Sequence, residues 1–435
     1  MAKSLRPPLL LIVLLFVSGL IAWADRVNLS VAAPILMREF GWDAAVMGWV
    51  LSAFGWGYLL AQLWTGWLCD RWGGVRTLVT ALTGWSVATL LTIVPRTPAF
   101  MALVRGVLGV FESAYGPALA ATVTRSFPSH QIGRALSFCI SATALGPLLA
   151  LPAATSLTVA YGWRAPFLLF GSAGLFWAGL IVLYARFLWR VPKGAIAEEG
   201  AVRNVPFTGL IRLTPVWGLG LAYLSQTYTW YFIANWMPTY LIQARGFNLW
   251  ESGLYTALPF LCAFLFEAGA GWVNHGLQSL GWSPSMTRKS IVSFGSTGAA
   301  ILLLWAGFTP SPLWAVVALS LALGLVGGNI ATLWILATDI APKNVGAVTG
   351  IMSFMGSFGA ILAPAVTGLL VARTGRWGSA LLLTAAVNAF ALVAIGWLVS
   401  LRPLLVLDRA LVTHPALSSN SAPLVGEDGE GSGIL

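Results

Sequence analysis

Gly66-Trp67-Leu68-Cys69-Asp70-Arg71-Trp72-Gly73-Gly74-Val75-Arg76 separates two apolar runs, 45–69 and 75–95, each long enough to cross a hydrocarbon layer. Three charges and two adjacent glycines in so short a space make a tight polar hairpin between two membrane helices. Gly66 lets neighbouring helices approach, and Asp70 can cap a nearby helix end and pair with arginine. A charge cluster of this kind can form in one arrangement of the chain and break in another. Gly66, Asp70, Arg71, Gly73 and Arg76 are therefore candidates for a gate.

Outward from this hairpin the pattern of apolar runs repeats. Twelve are long enough to span, at about 8–37, 45–69, 75–95, 98–124, 132–159, 165–188, 214–242, 251–274, 288–308, 311–339, 345–372 and 377–401. The expected fold is an all-α membrane protein of twelve transmembrane helices in two pseudo-symmetric halves of six. The first half is 1–188, a cytoplasmic linker is 189–213 and the second half is 214–401. The Ser/Gly/acid-rich stretch 402–435 is expected to be a disordered cytoplasmic tail. The halves echo each other: Arg125-Ser126-Phe127-Pro128 with Gly133 recurs as Asp339-Ile340-Ala341-Pro342 with Gly346, and Gly66-Trp67-Leu68-Cys69-Asp70 recurs weakly as Ala270-Gly271-Trp272-Val273-Asn274. In the second copy Asn274 stands where an acid is expected, so that half should be gated more weakly or wired differently.

Composition agrees. Of 435 residues 58% are hydrophobic, with 22 Trp and 22 Phe, which would leave a soluble fold of this size with a largely apolar surface. The net charge of +10 does not indicate nucleic acid, because the basic residues are scattered singly between apolar runs. With both termini cytoplasmic, sixteen Lys/Arg lie inside and six outside, and Arg26 and Arg105, within the membrane, complete the 24. The basic balance is thus topology. Cys69, Cys139 and Cys262 are too separated for a disulfide framework, and His130, His275 and His414 give no metal-ligand spacing. No metal or cofactor is expected. Lys3, Arg6 and Ala22-Trp23-Ala24 imitate a signal peptide, but the apolar stretch resumes after Arg26 and eleven more follow, so the helix is expected to continue.

Four charges sit inside spans: Asp25 and Arg26 in the first, Arg105 and Glu112 in the fourth. Insertion scales put each at roughly +2.5 to +3.5 kcal/mol at mid-bilayer, so together they cost on the order of 10 kcal/mol. Buried ion pairs such as Asp25 with Arg105 could hold helices together, but such pairs are weak stabilisers beside apolar packing. A polar cavity is the better motive. Arg105 and Glu112, two turns apart, share a helix face; Asp25 and Arg26, being adjacent, cannot point the same way in an unbroken helix. Arginine suits anion binding because its planar fork grips a carboxylate and stays charged, and the carboxylates suit proton carriage. Arg26 and Arg105 are the expected substrate-binding residues; Asp25 and Glu112 are the expected proton-coupling residues.

The loop Gly66–Arg76 is similar to the signature loop of the major facilitator superfamily. Asp25-Arg26-Val27-Asn28-Leu29-Ser30, Tyr58, Arg105 with Glu112, and Trp236-Met237-Pro238-Thr239-Tyr240-Leu241 together resemble its anion:cation symporter branch, with galactonate, glucarate, hexuronate and phthalate permeases. The resemblance covers about residues 10 to 400 and implies alternating access. It brings Tyr58 forward as a hydroxyl donor to substrate. Trp23, Tyr228, Tyr231 and Asn235 are candidates for the cavity wall, against the alternative of lipid-facing or packing aromatics. Where the branch often has Asn in span eleven, this chain has Ser353 and Ser357, each a single short hydroxyl, which favours a less hydroxylated or bulkier anion. Glu267, in span eight, where relatives usually carry a small or apolar residue, is open to three readings: an added protonation site, a selectivity group, or a buried partner to a cytoplasmic arginine, the last being preferred.

The expected function is proton-coupled symport of a small organic anion, a sugar acid or other carboxylate. The protein is expected to sit as a monomer in the lipid bilayer of a bacterial inner membrane. The alternative is a proton- or anion-exchanging antiporter or exporter, to which Gly146-Pro147 lends a faint likeness. A transporter-like receptor is more remote, since little of the chain is left for a signalling module. No nucleophile–base pair, metal cluster or phosphate loop suggests an enzyme.

Overall fold

The computed structural model describes residues 9–94, 96–127, 129–187, 207–340 and 345–398; for Leu63, Asp70, Ser129, His130, Gly133, Phe207, Thr208, Gly346, Trp397 and Leu398 it describes the backbone alone. Residues 189–206 of the expected linker and the tail 402–435 lie outside the described residues. Every described element is helical, as hydrocarbon requires, because a helix satisfies its own backbone N–H and C=O groups.

In chain order these are α1 (Leu9–Phe40), α2 (Ala44–Trp72), α3 (Gly74–Leu91), α4 (Pro98–Glu112), α5 (Tyr115–Ser126), α6 (Ser129–Ile140), α7 (Ala142–Tyr161), α8 (Arg164–Phe187), the short α9 (Phe207–Leu210), α10 (Thr214–Arg245), α11 (Leu249–Ser279), α12 (Pro284–Phe308), α13 (Pro312–Ile340), α14 (Val345–Thr374) and α15 (Trp377–Val393). A π-helical turn, Ala394–Leu398, ends the series. The fourth span is α4 followed by α5, and the fifth is α6 followed by α7. Each bends at a serine that bonds back to its own helix: Ser113 Oγ to the Val110 carbonyl and Ser141 Oγ to the Phe138 carbonyl, both at 2.7 Å.

α1 runs unbroken through Asp25-Arg26, so the apolar N-terminal stretch is a full span. Among the described residues, eleven segments are both long and apolar enough to cross a membrane. The twelfth, α10, has the length at 32 residues but carries Ser225, Gln226, Thr227, Thr229, Asn235 and Thr239, all buried in protein. A helix surrounded by other helices does not meet lipid, so its side chains are freed from the apolarity that lipid demands.

Loop residues start several helices. Asp43 Oδ1 accepts from Val46 N at 2.8 Å, and Asn248 with Glu251 forms a reciprocal capping box at 2.9 and 3.0 Å. Gly73, at φ +85°, makes the turn from α2 to α3. Gly74 does different work: a Cβ there would stand 2.7 Å from the Ala118 carbonyl, so it lets α3 lie against α5. Gly66, expected to permit a close approach, meets nothing; a Cβ on it would have no neighbour within 4 Å. The helices before 188 and those after 206 pack mainly among themselves. The two sets meet through α2 with α14, α7 with α11, and α1 with α10.

The α2–α14 seam runs from Ala44 against Gly368, past Gly48 against Pro364 and Gly55 against Ile361, to Gln62, whose Oε1 accepts from Ser357 Oγ at 3.4 Å. Beyond Gln62, Trp64, Trp67 and Trp72 are exposed. At α7–α11, Gly253 lies against Thr155, near the same end as Ala44. The two sets are therefore closed together at the end carrying the 41–43 turn and part at the end carrying Gly73.

Candidate functional site

Because α1 is straight through residues 25 and 26, the two side chains leave in different directions. Arg26 turns into a cavity between the two sets of helices. Trp23, Arg26, Phe54 and Arg105 wall it from the first set; Tyr231, Asn235 and Ala360 wall it from the second. Asp25 turns away, towards Thr89 of α3. It is 1% exposed, and apart from the nearby Thr89 hydroxyl, which is not set in good hydrogen-bonding geometry, its carboxylate oxygens have no hydrogen-bond partner among the described residues.

The ion pair that forms is Arg26 with Glu112, Nε to Oε2 at 2.5 Å. Asp25 and Arg105, offered by the sequence as an example pair, do not bridge. Arg105 instead donates from Nη1 to the Asp25 carbonyl at 3.1 Å and from Nη2 to the Arg26 carbonyl at 3.2 Å, tying α4 to the backbone of α1. Its Nε is buried without a partner, as is Glu112 Oε1.

Arg26 is caged by aromatic rings. Its guanidinium carbon lies 4.4 Å from the Trp23 centroid, 5.0 Å from Phe54 and 5.2 Å from Tyr58, arrangements that favour a cation over the ring faces. Nη1 donates to Tyr231 Oη at 3.4 Å, a bond between the two sets of helices. Nη2 meets no acceptor among the described residues. Phe54 also lies 5.5 Å from the Arg105 guanidinium carbon, so one ring separates the two cations. Arg26 is thus the arginine with donor capacity facing the cavity, and Arg105 is fixed behind it.

Of the other residues singled out in the sequence, Trp23 and Asn235 line the cavity and Tyr58 reaches it through Arg26. Asn235 donates to the Tyr231 carbonyl at 2.8 Å, leaving its amide oxygen available. Tyr228 is buried at the α10–α14 contact, beside Thr367, and does not line the cavity. Ser353 and Ser357 also lie off it. Ser357 bonds Gln62 and the Ser353 carbonyl, and the α14 residue facing Arg26 is Ala360, about one turn on. Gly146 of the faint antiporter motif makes room for Trp23, whose Cβ would be 2.5 Å from a Cβ at that position. Phe54, Leu51, Val27, Ala234 and Ala360 complete the wall. Being apolar in apolar helices, they carry no sequence signal. Tyr231, named from the sequence as a candidate for the cavity wall, does line it.

At the far end of α2, Arg71 and Arg76 are exposed, with Arg71 5.3 Å from the Trp67 ring; the Asp70 side chain lies outside the described residues. Arg288 Nη1 donates to Asn274 Oδ1 at 2.6 Å and Nε to Asp339 Oδ2 at 3.1 Å, so the acid comes from the end of α13. Glu267 makes no ion pair among the described residues, contrary to the preferred reading of a buried arginine partner.

A charged, aromatic-walled cavity between two helix sets that close at one end and part at the other defines a membrane transporter, not an enzyme. The chain belongs to the Major Facilitator Superfamily, which matches residues 15–337 and 282–418. It is 30% identical over 383 residues to the chloroplastic ascorbate transporter of Arabidopsis thaliana, covering 84% of this chain and 70% of that one. It is also 30% identical over 397 residues to the D-galactonate transporter of Escherichia coli O6:H1, covering 86% and 91%. Among solved structures, a bacterial homolog of the human lysosomal transporter Spinster, inward-facing and occupied, superposes with a TM-score of 0.73 over 97% of this chain and 100% of that one. At 16% identity that likeness is one of fold.

Proposed function

We propose that the protein takes up a small organic anion, a sugar acid or another carboxylate, together with protons by alternating access. The observation that carries this reading is Arg26: a membrane-depth guanidinium facing the cavity, held on one side by Glu112 and free to donate on the other. An anion leaving water needs fixed positive charge and donors to replace its hydration. Relatives named for ascorbate and D-galactonate support an acid of this kind. Ala360, offering no donor, suits an anion with few hydroxyls on that side.

In this reading Glu112 takes a proton from outside and releases Arg26, while Asp25 takes one behind α1. The anion then binds Arg26 within reach of Tyr58 and Asn235, and Arg105 holds α1 in place and adds positive potential. The loaded cavity is close to neutral and can be enclosed at low cost. With both termini cytoplasmic in a bacterial inner membrane, the end that is closed here is external. The re-formed Arg26–Glu112 pair then belongs to the state after anion and protons have left. The halves 1–188 and 214–401 rock about the linker 189–213, and the Gly66–Arg76 loop latches the cytoplasmic side.

The test is uptake into proteoliposomes against a panel of carboxylates, with and without an inward proton gradient. Symport requires uphill accumulation that rises with the gradient. Uptake driven only by a counter-anion on the other side would mean an exchanger.

A further inference from the structure

Glu267 has no role in the cycle above, yet it sits at membrane depth, about three turns before the end of α11, towards the end where α2 and α14 part. It lies where α10, α11 and α13 meet. Its Cγ is seated against Gly327 of α13, where a Cβ would stand 3.1 Å away, and it is close enough to Tyr223 of α10 to act on that phenol electrostatically. The side chain is partly accessible.

Three ordinary reasons for a carboxylate at this depth fail. It has no cation. α7 carries no Asp, Glu, Lys, Arg or His, and the one charge on α10, Arg245, is held at the opposite end by Tyr240 and the carbonyls of Ala306 and Thr309. The acid of α13, Asp339, engages Arg288; Lys289 of α12 makes no ion pair with Glu267. On α11 itself Glu251 caps the first turn, and His275 lies two turns further on. It is not part of a metal site, since no group of three His, Cys, Asp or Glu comes together among the described residues. Nor does it snorkel to the interface, because its short stem is lodged between helices at Gly327. Tyr223 is the titratable group that faces it. Partly accessible here, the side chain can exchange a proton with water; once the halves close over it, an unpaired carboxylate would be costly if charged, and a proton removes that charge.

We propose that Glu267 is a third proton-carrying carboxylate, the one in the C-terminal half, so that each anion moves with one proton more than the Asp25–Glu112 cluster supplies. Glu267 takes its proton from the outer aqueous phase, is enclosed as the neutral acid while the halves change over, and returns the proton to the inner phase. The proposal rests on proton-coupled symport. It adds a stoichiometry, and with it a steeper dependence of accumulation on the gradient.

The experiment compares wild type and Glu267→Gln in proteoliposomes with the membrane potential clamped at zero and the external pH one unit below the internal. Each coupled proton multiplies the limiting accumulation ratio by about tenfold per pH unit. Glu267→Gln is expected to accumulate about tenfold less than wild type, with half-saturation within about twofold and counterflow exchange retained. Equal accumulation ratios overturn the assignment, as does a weakened half-saturation at an unchanged ratio, which makes Glu267 a selectivity group. Should Glu267→Gln fail to fold, the protons moved per anion are counted directly in wild type; three are expected, and two overturn the assignment. A wild type indifferent to the gradient sinks symport itself, which is distinct from a coupled wild type matched by Glu267→Gln.

Discussion

Arg26 Nε and Glu112 Oε2 stand 2.5 Å apart at the edge of the cavity, so the residue best placed to bind an anion is already held by an internal one. In the function proposed above, substrate and Glu112 compete for this one guanidinium and a proton on Glu112 decides the competition, which would make binding and coupling one contact.

Glu112→Gln should lower accumulation by about tenfold for each pH unit of gradient while retaining anion binding or counterflow, because one coupled proton is lost and a neutral amide leaves Arg26 available regardless of pH. Its uptake should rise less steeply than that of wild type as external pH falls. Wild-type accumulation in this variant would show that Glu112 does not couple.

Arg26→Lys and Arg105→Lys should both fail, for different reasons. A point-charge ammonium at 26 cannot serve Glu112 and an anion together, so binding should weaken by on the order of tenfold or more. At 105 it cannot reach the carbonyls of Asp25 and Arg26 at once, so α1 is no longer held. Calorimetric titration of purified protein reads both effects; normal binding by Arg26→Lys would place the anion elsewhere.

Gly48→Leu and Gly253→Val should hinder closure of the end sealed here, since side chains at these positions meet the Pro364 carbonyl and Thr155. Cysteines introduced near Gly41 and Gly246 should become more reactive to a membrane-impermeant thiol reagent, and transport should fall in protein that still inserts. Unchanged labelling would mean that these glycines do not set the seal.

Arg288→Ala should destabilise the protein by about 1–3 kcal/mol, since it strips hydrogen bonds from Asn274 and Asp339 together. Substrate affinity should be unaffected, because the cluster lies away from the cavity. Thermal unfolding in detergent beside a binding isotherm separates the two; a large loss of affinity at full stability would contradict this placement.

Asp70→Asn should slow transport far more than it weakens binding if, as proposed, the Gly66–Arg76 loop, which does not line the cavity, latches the cytoplasmic side. Equal loss of both in folded protein would remove the latch from the account.

The fold was legible because its dominant physics is one-dimensional. Hydropathy, span length and the distribution of Lys and Arg are properties of the chain, and hydrocarbon admits helices as the answer to a long apolar run. Even α10, the most polar of the spans, could be counted from its length and flanks. The same reasoning exposed Asp25, Arg26, Arg105 and Glu112, since a charge at membrane depth stands out wherever it points. Which of them meet was not legible. The azimuth of Arg26 on α1 against Glu112 on α4 depends on how two helices rotate and cross. The sequence offered Asp25 with Arg105 as a pair, whereas packing gave Arg26 to Glu112 and turned Arg105 onto carbonyl groups that no side-chain reading can see. Apolar wall residues such as Phe54 and Ala360 were likewise invisible, because they differ from lipid-facing neighbours in direction alone. So did the solitude of Glu267, which depends on what the neighbouring helices fail to place beside it.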